Sequence, residues 1–238
     1  MGMIGDEAQM KRTVSFAIVA TLFLSLLVAS PASAEKKPKN AKKFNQITKT
    51  QPLCKPTRAV GHKPMKLPAP EVKKPFVNRT IILTTNCGEI RIEADGVNAP
   101  LTVISMSYLA NRGFFNKSPC HRVTTQGIFV LQCGDPSGTG SGGPAYTAPD
   151  ENLPNGSGNI YPAGSVAMAN SGANTNGSQF FIVYDDNSKL GPNYTLWGRV
   201  IKGLDIVKAV AALGSDNSNP AGGGVPNQPI TIYRASAR

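Results

Sequence analysis

The chain has 238 residues, of which 40% are hydrophobic, so it can form one large domain or two small ones without a metal or disulfides replacing a core. Glycine (24) and proline (19) are abundant, which is typical of a fold rich in strands and turns. The net charge of +11 comes from residues 35–79, because residues 80–238 contain ten basic and ten acidic side chains. A neutral folded part excludes the basic surface that nucleic-acid binding requires, so no nucleic-acid partner is expected.

The first 34 residues have the pattern of an export signal. Lys11 and Arg12 precede an apolar run from 14 to 29, and the small residues 32–34 follow it. This pattern predicts a signal peptide that is cleaved after Ala34. The alternative is a retained membrane anchor over residues 14–30, although the run is slightly shorter than the ~20 residues that span a bilayer. Either reading predicts an extracytoplasmic protein, secreted or attached to the membrane or envelope by this segment.

Residues 35–75 are predicted to be a basic, flexible linker. They contain seven prolines and several lysine pairs, and this composition cannot bury enough apolar surface to offset the entropy of ordering the chain. The prolines would keep the segment partly extended. A solvated tether is one interpretation, and attraction to an anionic lipid or cell-wall polymer, worth about 1 kcal/mol per lysine, is the other.

Residues 76–238 form the predicted folded domain. Alternating apolar residues between turns predict a series of short strands, whereas two stretches with helical periodicity predict helices at 100–111 and 204–213, the first with Asn98 as a candidate cap. The strands are predicted at 76–83, 89–93, 121–124, 129–133, 165–168, 180–184, 196–200 and 230–233. Strands that do not alternate with helices predict a mainly-β fold, a closed eight-stranded antiparallel barrel capped by two α-helices.

Two local patterns contain residue types that occur in functional motifs. Residues 138–143 contain G-x-G-x-x-G, but Pro144 and no helix follow, so the loop does not fit dinucleotide binding and instead indicates that backbone passes close to another group. His121 has no nucleophile within reach in the sequence, so a structural histidine, hydrogen-bonded in the barrel wall, is predicted. The two histidines and the absence of C-x-x-C predict no zinc site.

Three segments resemble the cyclophilin family of peptidyl-prolyl isomerases. They are Cys120-His121-Arg122-Val123, the strand that ends in Gln132-Cys133-Gly134-Asp135, and the block from Met168 to Ile182, which contains Ala-Asn and Asn-Thr-Asn-Gly-Ser-Gln-Phe-Phe-Ile. The resemblance extends from about residue 80 to 233. It implies an eight-stranded antiparallel barrel with two capping helices, proline-containing polypeptides as substrates, and no cofactor or metal.

The resemblance also assigns roles to residues. It places the family's catalytic arginine on Arg122, the aromatic floor and apolar wall of the proline pocket on four side chains, and the groups that hold the peptide backbone on amide and small residues. Tyr194 replaces a rim histidine and Lys189 replaces a tryptophan, which concerns inhibitor sensitivity and substrate preference. The predicted catalytic residues are Arg122, Phe129, Gln132, Asn170 and Phe181, and the predicted substrate-binding residues are Val130, Ala169, Gln179, Leu190 and Tyr194.

The chemistry of prolyl isomerisation explains why these residue types fit. Rotation about the prolyl bond crosses a barrier of ~20 kcal/mol because the C–N bond has partial double-bond character. At the twisted transition state the proline nitrogen gains a lone pair, and a fixed donor such as Arg122 binds that state better than either ground state. The sequence therefore predicts a monomeric isomerase that accelerates folding of exported proteins. The alternative is a non-catalytic proline-peptide binding module or holdase on the same fold.

The four cysteines predict disulfides, since their number is even and an exported protein meets an oxidising environment. Arg122 and Gln132 must face the same groove, so regular alternation places Cys120 and Cys133 on opposite faces and makes a bridge between them geometrically poor. Cys54 is expected to pair with Cys87 and tie the linker to the barrel. A bulge in the turn at 125–128 would change this parity.

Overall fold

The computed structural model describes residues 54–58, 60–187 and 189–238. The predicted signal segment and the linker up to residue 53 lie outside the described residues. The helices are α1 (Pro100–Asn111) and α2 (Leu204–Ala212). The strands in the described part are β1 (Arg79–Thr85), β2 (Gly88–Ala94), β3 (Ser118–Pro119), β4 (Arg122–Val123), β5 (Val130–Cys133), β6 (Ser165–Met168), β7 (Phe180–Val183), β8 (Leu196–Lys202) and β9 (Thr231–Ala237).

The strands form one antiparallel sheet in the order β3-β9-β1-β2-β8-β6-β7-β5-β4. Its two edge strands, β3 and β4, are the halves of one bent segment, which pairs with β9 through its first half and with β5 through its second. A single stretch of chain therefore joins both edges, and counting it as one strand gives the predicted eight-stranded antiparallel barrel. The mainly-β fold with two helices is confirmed.

The hairpin of β1 and β2 shows how the sequence builds the barrel wall. Ile81 lies opposite Ile92 and Leu83 opposite Ile90, and all four side chains are buried, because alternate residues of a strand face the same side. The predicted last strand is longer than expected. β9 continues to Ala237 because it pairs with β1 along its length, although the sequence after Tyr233 lacks the β-branched residues that indicate a strand.

Helix α1 has the predicted bounds, with Pro100 in its first turn. The candidate cap Asn98 is wrong, because the N-cap position is occupied by Ala99. The side chain of Ala99 cannot accept a hydrogen bond from the helix. Glu151 replaces it from a distant loop: its carboxylate accepts the N–H groups of Leu101 (3.0 Å) and Thr102 (2.7 Å). A carboxylate at a helix N-terminus pairs with unsatisfied donors and with the positive end of the helix dipole.

Substituting Glu151→Gln is expected to lower the free energy of unfolding by about 1 kcal/mol, in the range measured for lost N-caps. Urea denaturation measures the change. The matched control is Glu71→Gln, since Glu71 forms an exposed ion pair with Lys73 and should change stability by less than about 0.5 kcal/mol. Equal effects of the two substitutions would contradict the capping role of Glu151.

The disulfide prediction is half right. Cys54 is bonded to Cys87, as expected, but Cys120 is bonded to Cys133, so the expectation that this bridge is poor is wrong. Regular alternation requires an unbroken strand from Cys120 to Arg122. The chain bends there instead: the Cys120 N–H bonds to Ile230 O beside β9, whereas the next N–H, of His121, bonds to Gln132 O of β5. Alternation therefore breaks before Arg122, and Cys120 faces the core.

Residues 54–58 and 60–75, here called the arm, lie along the barrel. The Lys55 N–H bonds to Asn86 O, the His62 N–H to Pro136 O, and the Ala145 N–H to Leu67 O. Leu67 also packs against the main hydrophobic core. This part of the predicted linker is held by the barrel in the structure, and the tether role of residues 35–75 stays a prediction.

No helix among the described residues has both the length and the apolar character to span a membrane.

Candidate active site

A groove of about 300 Å³, here called the main groove, opens on the barrel wall. Eight of the ten predicted site residues line it: Arg122, Val130, Gln132, Ala169, Asn170, Phe181, Leu190 and Tyr194. The remaining lining residues include Ile128, His121, Thr139, Gly140, Asn219 and Ala221. The groove therefore combines one cation, several amide or backbone groups and an apolar end.

Strand register brings the central residues together. Arg122 of β4 lies directly opposite Gln132 of β5, and Gln132 lies directly opposite Phe181 of β7. Directly opposed residues in an antiparallel pair point to the same face. The three side chains consequently form a row across three strands, although they are far apart in the sequence.

The apolar end of the groove is a small cluster separate from the main core. Val130, Phe181 and Leu190 are almost completely buried, and each belongs to this cluster. The Tyr194 ring stands edge-on to Phe181, with ring centroids 5.3 Å apart. Because these side chains are fixed by packing on two sides, the groove keeps its shape without a ligand and can hold a five-membered apolar ring.

Arg122 is held rigidly at the polar end. Its Nε donates to Gly222 O and its Nη2 to Ala221 O, both at 2.9 Å, and its Nη1 donates to Gln132 Oε1 at 3.2 Å. These acceptors are neutral, and no ion pair with Arg122 is present among the described residues. Burial lowers the pKa of Arg122, yet an arginine stays protonated in proteins. The groove therefore contains a fixed positive charge with no neutralising carboxylate bonded to it.

Two glutamines continue this hydrogen-bond chain. Gln132 Nε2 donates to Gln179 Oε1 at 3.0 Å, and Gln179 Nε2 donates to the carbonyl oxygens of Gly140 (2.8 Å) and Gly142 (3.1 Å). Gln179 does not line the main groove. Its bond to Gln132 sets the orientation of that amide, so in the main groove Gln179 acts as a positioning residue.

The glycine-rich loop folds around a buried carboxylate. Asp135 accepts the N–H groups of Ser137 (2.7 Å), Gly140 (2.7 Å) and Gly142 (3.0 Å), and a Cβ at Gly142 would lie 1.9 Å from its Oδ1. Burial acts to raise the pKa of Asp135, but these hydrogen bonds outweigh it and hold the pKa below its ordinary value. The predicted close approach of backbone is therefore to Asp135.

Substituting Asp135→Asn is expected to lower the free energy of unfolding by roughly 1.5–3 kcal/mol at pH 7, the range for a hydrogen bond to a charged group. Since the pKa of Asp135 is lower in the folded state, its contribution is present above the unfolded pKa of about 3.9 and is lost as the pH falls further. The original protein and the variant should therefore converge in stability in acid. Denaturation at pH 7 and pH 3 tests this, and a constant difference would contradict it.

His121 lies in the groove beside Arg122 and is 8% exposed. Neither ring nitrogen has a hydrogen-bond partner within the described part of the chain, so the prediction of a hydrogen-bonded wall histidine is wrong in this respect. Burial lowers the pKa of His121, the nearby Asp135 acts to raise it, and Arg122 acts to lower it. The resulting low pKa favours a neutral imidazole at neutral pH.

Phe129, the predicted aromatic floor, is not among the residues that line the main groove. It packs against the main core, edge-on to Tyr184 at 6.0 Å between ring centroids. Alternation along this segment points Ile128, Val130 and Gln132 into the groove, so Ile128 takes the place expected for Phe129.

The loop carbonyls of Ala221 and Gly222 that hold Arg122 were not predicted. Only their glycine-rich surroundings give any sequence signal.

Asn170 is fixed at the rim of the groove. Its Nδ2 donates to Asn193 O at 2.8 Å, and its Oδ1 accepts the Gly172 N–H at 3.2 Å. Neighbouring Ala169 is anchored through its N–H to Gln179 O. A polypeptide that lies along this edge therefore meets a backbone segment whose position is set by β7 and the following loop.

Within the described residues, no three His, Cys, Asp or Glu side chains are grouped so as to hold a metal ion.

The chain belongs to the cyclophilin type peptidyl-prolyl cis-trans isomerase family, whose model matches residues 80–237. The probable peptidyl-prolyl cis-trans isomerase B of Mycobacterium tuberculosis is 42% identical over 192 residues, which cover 74% of this chain and 58% of that protein. Peptidyl-prolyl cis-trans isomerase B of Bacillus subtilis is 43% identical over 110 residues, 46% of this chain and 74% of that one. The chain thus spans little more than half of the mycobacterial relative.

Solved structures agree with the family and the fold. The crystal structure of a cyclophilin type isomerase from Cryptosporidium parvum superposes with a TM-score of 0.58 at 27% identity and covers 68% of this chain and 98% of its own. A second structure of the same parasite protein, determined in the presence of the dipeptide Ala-Pro, has a TM-score of 0.57 at 27% identity over 67% and 98%.

Proposed function

We propose that this protein is an active peptidyl-prolyl cis-trans isomerase that uses the main groove. The observation that carries the proposal is the row of Arg122, Gln132 and Phe181, which sets a fixed cation beside an apolar end shaped for a ring. The structure determined with Ala-Pro supports the same class of ligand, since that protein is a related member of the family.

In this mechanism the apolar end binds the proline ring, and Arg122 acts on the bond that rotates. Val130, Phe181 and Leu190 grip the ring, whereas Asn170 and the groove rim hold the flanking backbone. As the prolyl bond twists, amide resonance is lost and the nitrogen gains a lone pair. An Arg122 N–H aimed at that nitrogen, or at the neighbouring carbonyl oxygen, binds the twisted state more tightly than either planar state. No covalent intermediate is required.

A prolyl isomerisation assay on the purified protein tests the proposal. An active enzyme accelerates cis-trans exchange of an X-Pro peptide catalytically, with kcat/KM that depends on the groove residues. The alternative, a proline-peptide binding module or holdase, predicts peptide binding or suppression of aggregation without faster exchange. Binding at the uncatalysed exchange rate would therefore favour the alternative.

We further propose that the protein acts on exported polypeptides, as a monomer outside the cytoplasm. The export pattern of residues 1–34 supports this location, as does the pairing of four cysteines in two disulfides, which persist in oxidising compartments. Residues 14–30 would either be removed with the signal or remain as a membrane anchor. Mass spectrometry of the protein from culture and envelope fractions decides between them: cleavage predicts a chain that begins at Glu35, and an anchor predicts the intact chain in detergent extracts.

A further inference from the structure

A second groove lies next to the main groove and has no role in the mechanism above. It also measures about 300 Å³, and it shares Gln132, Gly140, Ala169 and Asn170 with the main groove. The rest of its lining consists of residues 141–144 and 177, one residue of the arm, and the polar residues Tyr146, Thr147, Ser171, Thr175, Ser178 and Gln179. A polypeptide whose proline fills the main groove can continue into this second groove, since an extended chain advances roughly 3.3–3.6 Å per residue.

The arm contributes one side chain to the second groove, Lys66. It is the one charged residue in that lining, and it forms no ion pair among the described residues. The Asp135 carboxylate accepts the N–H groups of the lining residues Gly140 and Gly142 and is itself fully buried. The second groove is therefore a polar cleft with an unpaired positive charge at its edge.

The arm is fixed on both sides of Lys66. The adjacent residue, Leu67, accepts the Ala145 N–H at 3.1 Å and packs against the main core. Upstream, the His62 N–H bonds to Pro136 O at 2.8 Å, and the Cys54–Cys87 disulfide joins the arm to the first hairpin. The Lys66 backbone is consequently held beside the groove, and its flexible side chain carries the ammonium group at the lining.

We propose that Lys66 makes the second groove a subsite for an acidic side chain of the substrate, an Asp or Glu roughly two or three residues from the proline. The inference rests on the proposed function and names the substrate class that this site prefers. An exposed ion pair contributes little, so the expected preference for Glu over Gln is about two- to five-fold in kcat/KM. It should appear in KM rather than kcat, because the acidic side chain is remote from the rotating bond.

The test uses matched proline peptides with Glu, Gln or Lys at the second or third position on either side of the proline. Isomerisation is measured for the original protein, Lys66→Gln, Lys66→Glu and the control Lys63→Gln, an exposed arm lysine outside the groove lining. We expect the Glu preference at one position to vanish in Lys66→Gln, to become a Lys preference in Lys66→Glu, and to persist in Lys63→Gln. It should also weaken in about 1 M salt, where charges are screened within about 3 Å.

Equal rates for Glu and Gln peptides in the original protein, or a Glu preference that survives in Lys66→Gln, would overturn the proposal. Failure of the proposed function is recognised separately, because then no peptide, including the Gln series, is isomerised. In that case calorimetric binding of the same Glu and Gln peptides to the same four proteins tests the subsite directly, with the same pattern of preference expected.

Discussion

Replacing Arg122 by alanine is expected to reduce kcat/KM for prolyl isomerisation about 10²-fold while the protein stays folded. The guanidinium donates to two loop carbonyls and to Gln132, so its position is set before substrate binds. A charge-assisted hydrogen bond formed mainly in the transition state is worth roughly 1.5–3 kcal/mol, and its loss lowers kcat rather than raising KM. The remaining acceleration comes from the apolar end of the groove and from the backbone contacts.

Two further substitutions make this prediction specific. Arg122→Lys keeps the charge but loses the planar fork that reaches several acceptors at once, so it should recover only part of the activity. Arg234→Ala removes an exposed arginine from β9, away from the groove lining, and should leave the rate unchanged. Circular dichroism and thermal denaturation confirm folding of each variant. A folded Arg122→Ala protein within a factor of two of the original rate would show that Arg122 is not the transition-state donor.

The parts of the fold that the sequence predicts are those in which local pattern and tertiary packing agree. Helix α1 has the predicted bounds because Pro100 favours the first turn and Gly113 follows the last one. Strand β6 matches for a similar reason: it is a short apolar run between a glycine turn and a polar loop, and both of its faces are buried. In such segments each residue's own propensity already favours the final structure.

The features that the sequence could not predict depend on residues brought together by the barrel. Glu151 caps α1 from 50 residues away, so no local pattern at the helix start reveals it. Strand β3 is two residues long and exists because β9 passes beside it. The bend from β3 to β4 breaks the side-chain alternation between Cys120 and Arg122, and Pro119 is the local sequence signal for it.

The candidate site divides in the same way. Eight predicted residues line the main groove because Arg122, Gln132 and Phe181 are fixed by strand register, which the family resemblance carries over with the fold. Phe129 lies outside the lining because alternation along this segment puts Ile128, Val130 and Gln132 on the groove face. Lys66 could not be found from the domain pattern, since its place in the second groove depends on how the arm packs.

Removing the Cys120–Cys133 disulfide is expected to lower the free energy of unfolding by about 3 kcal/mol, which for a domain of this size lowers Tm by roughly 6–12 °C. The bridge closes a loop with a sequence separation of 13, and that loop contains both Arg122 and Gln132. In the unfolded chain the crosslink removes loop conformations, so its loss makes unfolding more favourable. Both cysteines are buried, and alanine is the suitable replacement because serine would bury an additional hydroxyl group.

The measurement is best made in a Cys54→Ala/Cys87→Ala background, so that reductant acts on a single disulfide. In that background, adding reductant and substituting Cys120→Ala/Cys133→Ala should each lower Tm by a similar amount, and reductant should have no effect on the protein that lacks all four cysteines. Isomerisation should slow as well, because β4 and β5 hold Arg122 opposite Gln132 and are joined there by only two residue pairs. Unchanged Tm on reduction, or peptide mapping that finds free thiols at Cys120 and Cys133 in the purified protein, would show that register and packing alone hold the groove together.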